Sequence, residues 1–202
     1  MKLYFSPGAC SLAPHIALHE AGLQFDAIKT NTRERSTSDG SDFLAVNPKG
    51  YVPALLLDSG ESLTECPAIL HYIADRKPAS GLLPPAGGME YYRVLEWLAF
   101  IATELHKGLG PIFRPGTPEE LKASTRERIA GRLSWVASQI EGREFAVGNH
   151  FTIADAYLYV VAGWLRLAGL DPERWPALRD YHARIGQRPA VKAARQAEGL
   201  PG

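Results

Sequence analysis

Cysteine is nearly missing from these 202 residues: there are two, Cys10 and Cys66. That excludes a disulfide-stapled scaffold and fits a reducing compartment, so each thiol has to be judged by its own surroundings. Net charge is missing as well, with 22 Lys and Arg against 22 Asp and Glu. No summed field draws the chain to a nucleic-acid backbone or an anionic membrane, and neither is expected as a partner. The longest apolar run, Tyr157 to Leu165, is cut by Arg166; it falls well short of the roughly 20 residues that span a bilayer and reads as a buried helix. The start, Met1-Lys2-Leu3-Tyr4-Phe5-Ser6-Pro7-Gly8, breaks before the apolar length of a signal peptide, so a cytoplasmic location is expected. Metal-ligand sets are lacking too. His15 and His19 stand four apart on one expected helix, but no carboxylate or cysteine set completes a site beside them, and no metal is expected.

What is present is ordinary for a folded chain: 46% hydrophobic and 22% charged residues, with length enough for two small domains. Lys2 to Phe5 reads as a strand, Ser11 to Ala21 as a helix stopped by Gly22, and Phe25 to Lys29 as a second strand. The polar run from Thr30 to Asp42 reads as a loop before a short helix, Phe43 to Val46, and Asn47-Pro48-Lys49-Gly50 as a turn. Ala54 to Leu57 and Glu61 to Thr64 flank the hairpin chemistry of Asp58-Ser59-Gly60, and Pro67 opens a helix to about Lys77. The order is βαβ then ββα, a mixed four-stranded sheet in a domain over residues 1–78. A Pro/Gly-rich linker covers 79–88. Residues 89–202 form an all-α domain, with helices expected over Met89 to about Leu109, Pro118 to Ile140, Ile153 to Ala168, Pro176 to Ile185 and Pro189 to Ala197. Phe151-Thr152-Ile153-Ala154-Asp155 carries the hydroxyl and carboxylate of a capping box.

Chemistry concentrates where strand gives way to helix. Cys10 lies there, with Ser11 available as an N-cap, so its sulfur should sit by a helix N-terminus, where thiolate is favoured over thiol. From position alone an inert buried cysteine is an equal reading. Ser11-Leu12-Ala13 follows, so there is no Cys-x-x-Cys pair, which disfavours a dithiol oxidoreductase. Tyr51-Val52-Pro53 puts a proline at the start of a strand, a setting that admits a cis Val52-Pro53 bond or a plain turn. A cis bond there would turn the main-chain groups of Val52 outward to pair with an extended peptide. Glu65-Cys66-Pro67 precedes a helix, so the Cys66 N–H can bind a carboxylate while Glu65 accepts from an ammonium. By itself this segment is also an ordinary helix start.

Taken in order, Cys10-Ser11, Tyr51-Val52-Pro53, Glu65 before a helix, the Pro/Gly linker, Leu105-His106-Lys107 and the Thr152 to Asp155 box resemble the bacterial beta-class glutathione transferases over essentially the whole chain. The resemblance implies a thioredoxin-like domain that binds glutathione as co-substrate, a helical domain forming most of the pocket for a small hydrophobic electrophile, a homodimer and a role in detoxification. It also implies roles for residues. Cys10 faces the glutathione sulfur, Val52 pairs with the tripeptide through a cis Pro53, Glu65 and Cys66 hold the γ-glutamyl end, and Arg35 serves the glycyl carboxylate. His106 approaches the sulfurs as a second catalytic group, and Thr103, Glu104 and Lys107 flank the pocket or the dimer seam. Trp97, Phe100, Ile101, Phe113, Tyr157 and Trp164 could line an apolar pocket beside Cys10; aromatic residues at helical spacing are more often core, so some of the six are expected to pack there, with Phe113 and Trp164 the better candidates for the electrophile pocket. Two positions depart from the family's pattern: residue 66 is Cys where Ser is common, and residue 99 is Ala where Asn is common. Both imply weaker hold on glutathione. The competing class is a non-catalytic binding or transcription-associated protein of the same fold, against which Cys10, Glu65 and His106 together argue.

Overall fold

The computed structural model describes residues 1–201. The chain gathers into two compact units, one of Met1–Leu83 with Gln187–Gly202 and one of Pro84–Gly186. The last helix therefore packs with the first unit, whereas the sequence groups it with the helical half.

In the first unit the elements run β1 (Lys2–Phe5), α1 (Leu12–Glu20), β2 (Asp26–Asn31), β3 (Ser36–Thr37), α2 (Phe43–Val46), β4 (Ala54–Leu56), β5 (Ser62–Thr64) and α3 (Cys66–Arg76), with α9 (Pro189–Ala197) returning from the far end of the chain. The sheet has five strands in the order β3-β2-β1-β4-β5. β1 and β2 are parallel, Leu3 facing Ala27 in register, and the remaining pairs are antiparallel. The strand that sequence patterning misses is β3, two polar residues paired with Thr30 and Asn31 at the sheet edge. So short a strand carries no alternation to detect. Because successive side chains point to opposite faces, Tyr4 joins Ile28, Phe43, Val52 and Ala54 in one apolar cluster. Phe5, its neighbour in sequence, meets the His15 ring of α1 at 5.5 Å. Helix α1 packs on α3 and α9. Its His15 and His19 rings stack at 5.2 Å, both edge-on to Phe25. Burial pushes the His19 imidazole below its ordinary range, and the His15 charge adds to that.

The second unit is helical: α4 (Met89–Phe100), a π-helical segment (Ile101–His106), α5 (Lys107–Phe113), α6 (Glu119–Ile140), α7 (Ile153–Ala162) and α8 (Pro176–Gly186). Two helix ends differ from the sequence reading. The chain stays helical past Pro111, with the Arg114 N–H reaching the Gly110 carbonyl at 3.1 Å. Helix α7 instead stops at Ala162, and after Gly163 it tightens into turns such as the Trp164 N–H to Val161 carbonyl bond of 3.1 Å. A Cβ on Gly108 would come within 2.8 Å of Ile129 Cδ1, so this glycine sets how closely α5 lies on α6. The capping box is formed: Asp155 Oδ2 accepts the Thr152 N–H at 2.8 Å, and the Thr152 hydroxyl accepts the Ala154 N–H at 3.3 Å. Asp155 Oδ1 takes two further bonds, from the Ala146 N–H at 2.8 Å and the Tyr181 hydroxyl at 2.5 Å.

Candidate active site

The loop between β1 and α1 is tied at several points. Ser11 is fully buried, and its hydroxyl accepts the Ser6 N–H at 3.1 Å and lies 3.3 Å from the Ser6 carbonyl. It occupies the N-cap position of α1 without capping it, because closing this loop takes its hydroxyl instead. The Gly8 N–H donates to Glu198 Oε2 at 2.8 Å, and Glu198 Oε1 lies 2.9 Å from His15 Nδ1. A buried carboxylate from beyond α9 thus holds the Cys10 loop against α1.

Cys10 lies in the turn that leads into α1, its carbonyl accepting the Ala13 N–H at 3.1 Å. The residue is 8% exposed. Its Sγ donates to the Val52 carbonyl across 3.4 Å, a bond that only the protonated thiol can make. Val52-Pro53 is cis, and the Asn47 side-chain amide donates to the Tyr51 carbonyl at 2.6 Å to order the approach. The Val52 carbonyl is turned to the Cys10 thiol, which differs from the expectation that both its main-chain groups face outward.

Glu65 holds φ at 73°, the left-handed region that a residue with a Cβ enters at a cost of order 1–3 kcal/mol and that clusters at ligand clamps. Its half-exposed carboxylate takes Lys49 Nζ at 2.5 Å and the Tyr51 hydroxyl at 3.1 Å. The Glu65 bond pushes the Lys49 ammonium up, while burial and then the Glu65 bond push the Tyr51 phenol up. Cys66 opens α3, and its thiol points at the Cys10 carbonyl across 3.6 Å. Arg35 stands apart from this group. It is exposed at the β2–β3 turn with φ at 58° and makes no ion pair among the described residues.

The helical unit has its own cluster on the π-helical segment, a register change that widens one turn and recurs at functional sites. It holds Thr103, Glu104 and His106. His106 Nδ1 lies 2.7 Å from the hydroxyl of buried Tyr157. The His106 ring meets Trp164 at 5.1 Å, and Trp164 meets Phe113 at 6.3 Å, both edge to face. Glu104 is paired with Arg132 at 2.9 Å, and the Thr103 hydroxyl bonds back to the Ala99 carbonyl at 3.0 Å. Lys107 is exposed at the start of α5.

The family model described as the glutathione S-transferase N-terminal domain matches residues 8–76, and the one described as the C-terminal domain matches residues 100–189. Glutathione S-transferase GstA of Escherichia coli O157:H7 is 45% identical over 200 residues, which cover 99% of this chain and 100% of that protein. The chain belongs to the glutathione S-transferase family. Among solved structures, a sphingomonad glutathione S-transferase complexed with glutathione is 53% identical with a TM-score of 0.96, covering 100% of both chains. A beta-class glutathione S-transferase of Sphingomonas chungbukensis is 49% identical with the same TM-score of 0.96, again over 100% of both.

The contacts of three residues around the candidate site leave no sequence signal. Lys49 lies in a legible turn, but only its reach to Glu65 reveals it. Tyr157 falls in the apolar run read as a buried helix and is open to a pocket or a core reading, but nothing local shows its phenol engaged by a histidine. Glu198 is separated from Gly8 by almost the whole chain, and no local signal connects them.

Proposed function

We propose that the chain conjugates glutathione to small apolar electrophiles and that Cys10 also carries glutathione-dependent thiol exchange. The observation that supports this most is the convergence of the Cys10 thiol, the Val52 carbonyl at a cis proline and the left-handed Glu65 within one unit of a family member. An extended tripeptide pairing with Val52 would compete for the carbonyl that takes the Cys10 hydrogen. The thiol would then be redirected to the incoming sulfur, where it either donates to a glutathione thiolate or, when that sulfur is part of a glutathionyl disulfide, loses its proton and attacks it with loss of the partner thiolate. Glu65, oriented by Lys49 and Tyr51, would accept the γ-glutamyl ammonium, and the Cys66 N–H at the start of α3 its carboxylate. Arg35 is proposed for the glycyl carboxylate, with side-chain reordering from its exposed position.

In transfer, the glutathione thiolate forms a carbon–sulfur bond to the electrophile and a leaving group such as halide departs. In exchange, the Cys10 thiolate attacks a glutathionyl sulfur, the partner thiol leaves, and a second glutathione thiolate frees Cys10 as glutathione disulfide departs. His106, fixed by Tyr157, is proposed as an acid–base group, and the Phe113–Trp164 pair as part of the apolar face that receives the electrophile. Thr103, Glu104 and Lys107 are proposed as flanking groups. A homodimer and a cytoplasmic location belong to the same proposal; among the described residues no helix is long and apolar enough to cross a membrane.

Retention on immobilised glutathione with release by free glutathione tests the binding step. No retention would favour a non-catalytic member of the fold.

A further inference from the structure

The loop bearing Cys10 offers no second cysteine nearby in sequence, yet the fold brings one from another helix. The Cys66 sulfur lies 3.6 Å from the Cys10 carbonyl oxygen. A carbonyl oxygen is about 2.4 Å from its own Cα by standard bond lengths, which puts the Cys66 sulfur within about 6 Å of the Cys10 Cα. Both residues are buried, at 8% and 4% exposure, and they are the only two cysteines of the chain. Each also sits at a helix start: Cys10 in the turn leading into α1, Cys66 as the first residue of the 11-residue α3. A helix N-terminus favours thiolate over thiol. The Cys66, Cys10 and Val52 groups form a chain in which each thiol donates to the next main-chain carbonyl.

We propose that Cys66 is a resolving thiol for Cys10, giving the chain a dithiol disulfide-exchange activity in addition to transfer. The Cys10 thiolate attacks one sulfur of a glutathionyl disulfide, forms a Cys10–glutathione disulfide and expels the partner as a thiolate. The Cys66 thiolate then attacks the Cys10 sulfur, forming a Cys10–Cys66 disulfide and releasing glutathione thiolate. Two glutathione thiols reduce the protein disulfide in successive exchanges and leave as one glutathione disulfide, so electrons and protons balance. This route rests on the glutathione reading above; the thiol pair itself does not.

The test treats the full chain with glutathione disulfide, alkylates the remaining thiols and measures the intact mass, beside Cys66→Ala and Cys10→Ala. The wild type is expected to lose two hydrogens and take up no alkyl group, Cys66→Ala to trap one glutathionyl group on Cys10, and Cys10→Ala to form neither product. A wild type that accumulates the glutathionyl adduct with Cys66 still alkylated, as the variant does, overturns the proposal. A parallel arm with diamide, a diazene that oxidises dithiols without glutathione, separates the two readings. Closure by diamide with no reaction toward glutathione disulfide keeps the thiol pair and defeats glutathione-dependent exchange at Cys10. Failure of both oxidants to close the wild-type pair overturns the thiol pair, whether or not either variant folds.

Discussion

Asp155→Ala removes a carboxylate that accepts two backbone N–H groups, from Ala146 and Thr152, and two hydroxyls, from Tyr181 and Thr152. The residue is fully buried, so water cannot replace it. The hydroxyls can turn to other acceptors; the two N–H groups cannot. Each buried donor left without a partner costs about 1–3 kcal/mol, and the freed α7 start loses a cap of comparable size. Against this stands the relief of no longer burying a carboxyl group. We expect a net loss of about 3 kcal/mol, which for a chain of this length lowers Tm by about 6–12 °C. Urea unfolding should show a lower midpoint at unchanged slope. The pH dependence has a definite sign. Burial raises the Asp155 pKa in the folded state above its ordinary 3.8, despite the opposing bonds from Tyr181, Ala146 and Thr152. Its contribution is therefore fully present below 3.8 and is lost as pH rises through the folded value. The gap between wild type and variant should narrow from acid toward neutral pH. A loss below about 1 kcal/mol would refute the unsatisfied-donor reasoning.

Three further outcomes are expected of the site. Cys10→Ala should abolish glutathione-disulfide exchange while reducing aryl conjugation much less; equal loss of both would make Cys10 a thiolate stabiliser alone. Tyr157→Phe deletes the 2.7 Å contact to His106 and should lower kcat about tenfold, the equivalent of one hydrogen bond, with a displaced pH–rate profile and little change in the KM for glutathione. An unmoved profile would place His106 outside the chemistry. Glu65→Gln removes the charge that Lys49 and Tyr51 orient, and should raise the KM for glutathione about tenfold or more, as charged hydrogen bonds do, with kcat within about twofold. An unchanged KM in steady-state kinetics would contradict the ammonium assignment.

The readable parts of the fold are those whose signal is local. The α3 start is written in Cys66-Pro67, the capping box in Thr152 and Asp155, and the hairpin in Asp58-Ser59-Gly60, because each needs only neighbouring residues. The hidden parts depend on distance in sequence or on backbone register. β3 is two polar residues that become a strand only by pairing with β2. The π-helical segment leaves no composition cue, although it sets where Thr103, Glu104 and His106 point. Glu198 reaches Gly8 and His15 from the end of the chain, and that packing moves α9 into the first unit. In the candidate site, the positions of Cys10, Val52 and Glu65 before helices and at a proline each allow a plain structural reading as well, and only their order along the chain, through the family resemblance, singles them out. What could not be read was which way their groups turn: the Val52 carbonyl to the Cys10 thiol, the Cys66 thiol to the Cys10 carbonyl, and Glu65 to Lys49.

Glutathione transfer by this chain is measured by the initial rate at which the purified protein joins glutathione to chlorodinitrobenzene, followed through absorbance of the thioether. The expected rate exceeds that of the uncatalysed reaction, saturates with glutathione and is inhibited competitively by S-methylglutathione. A rate equal to the uncatalysed reaction, together with no heat of glutathione binding by calorimetry, would contradict it.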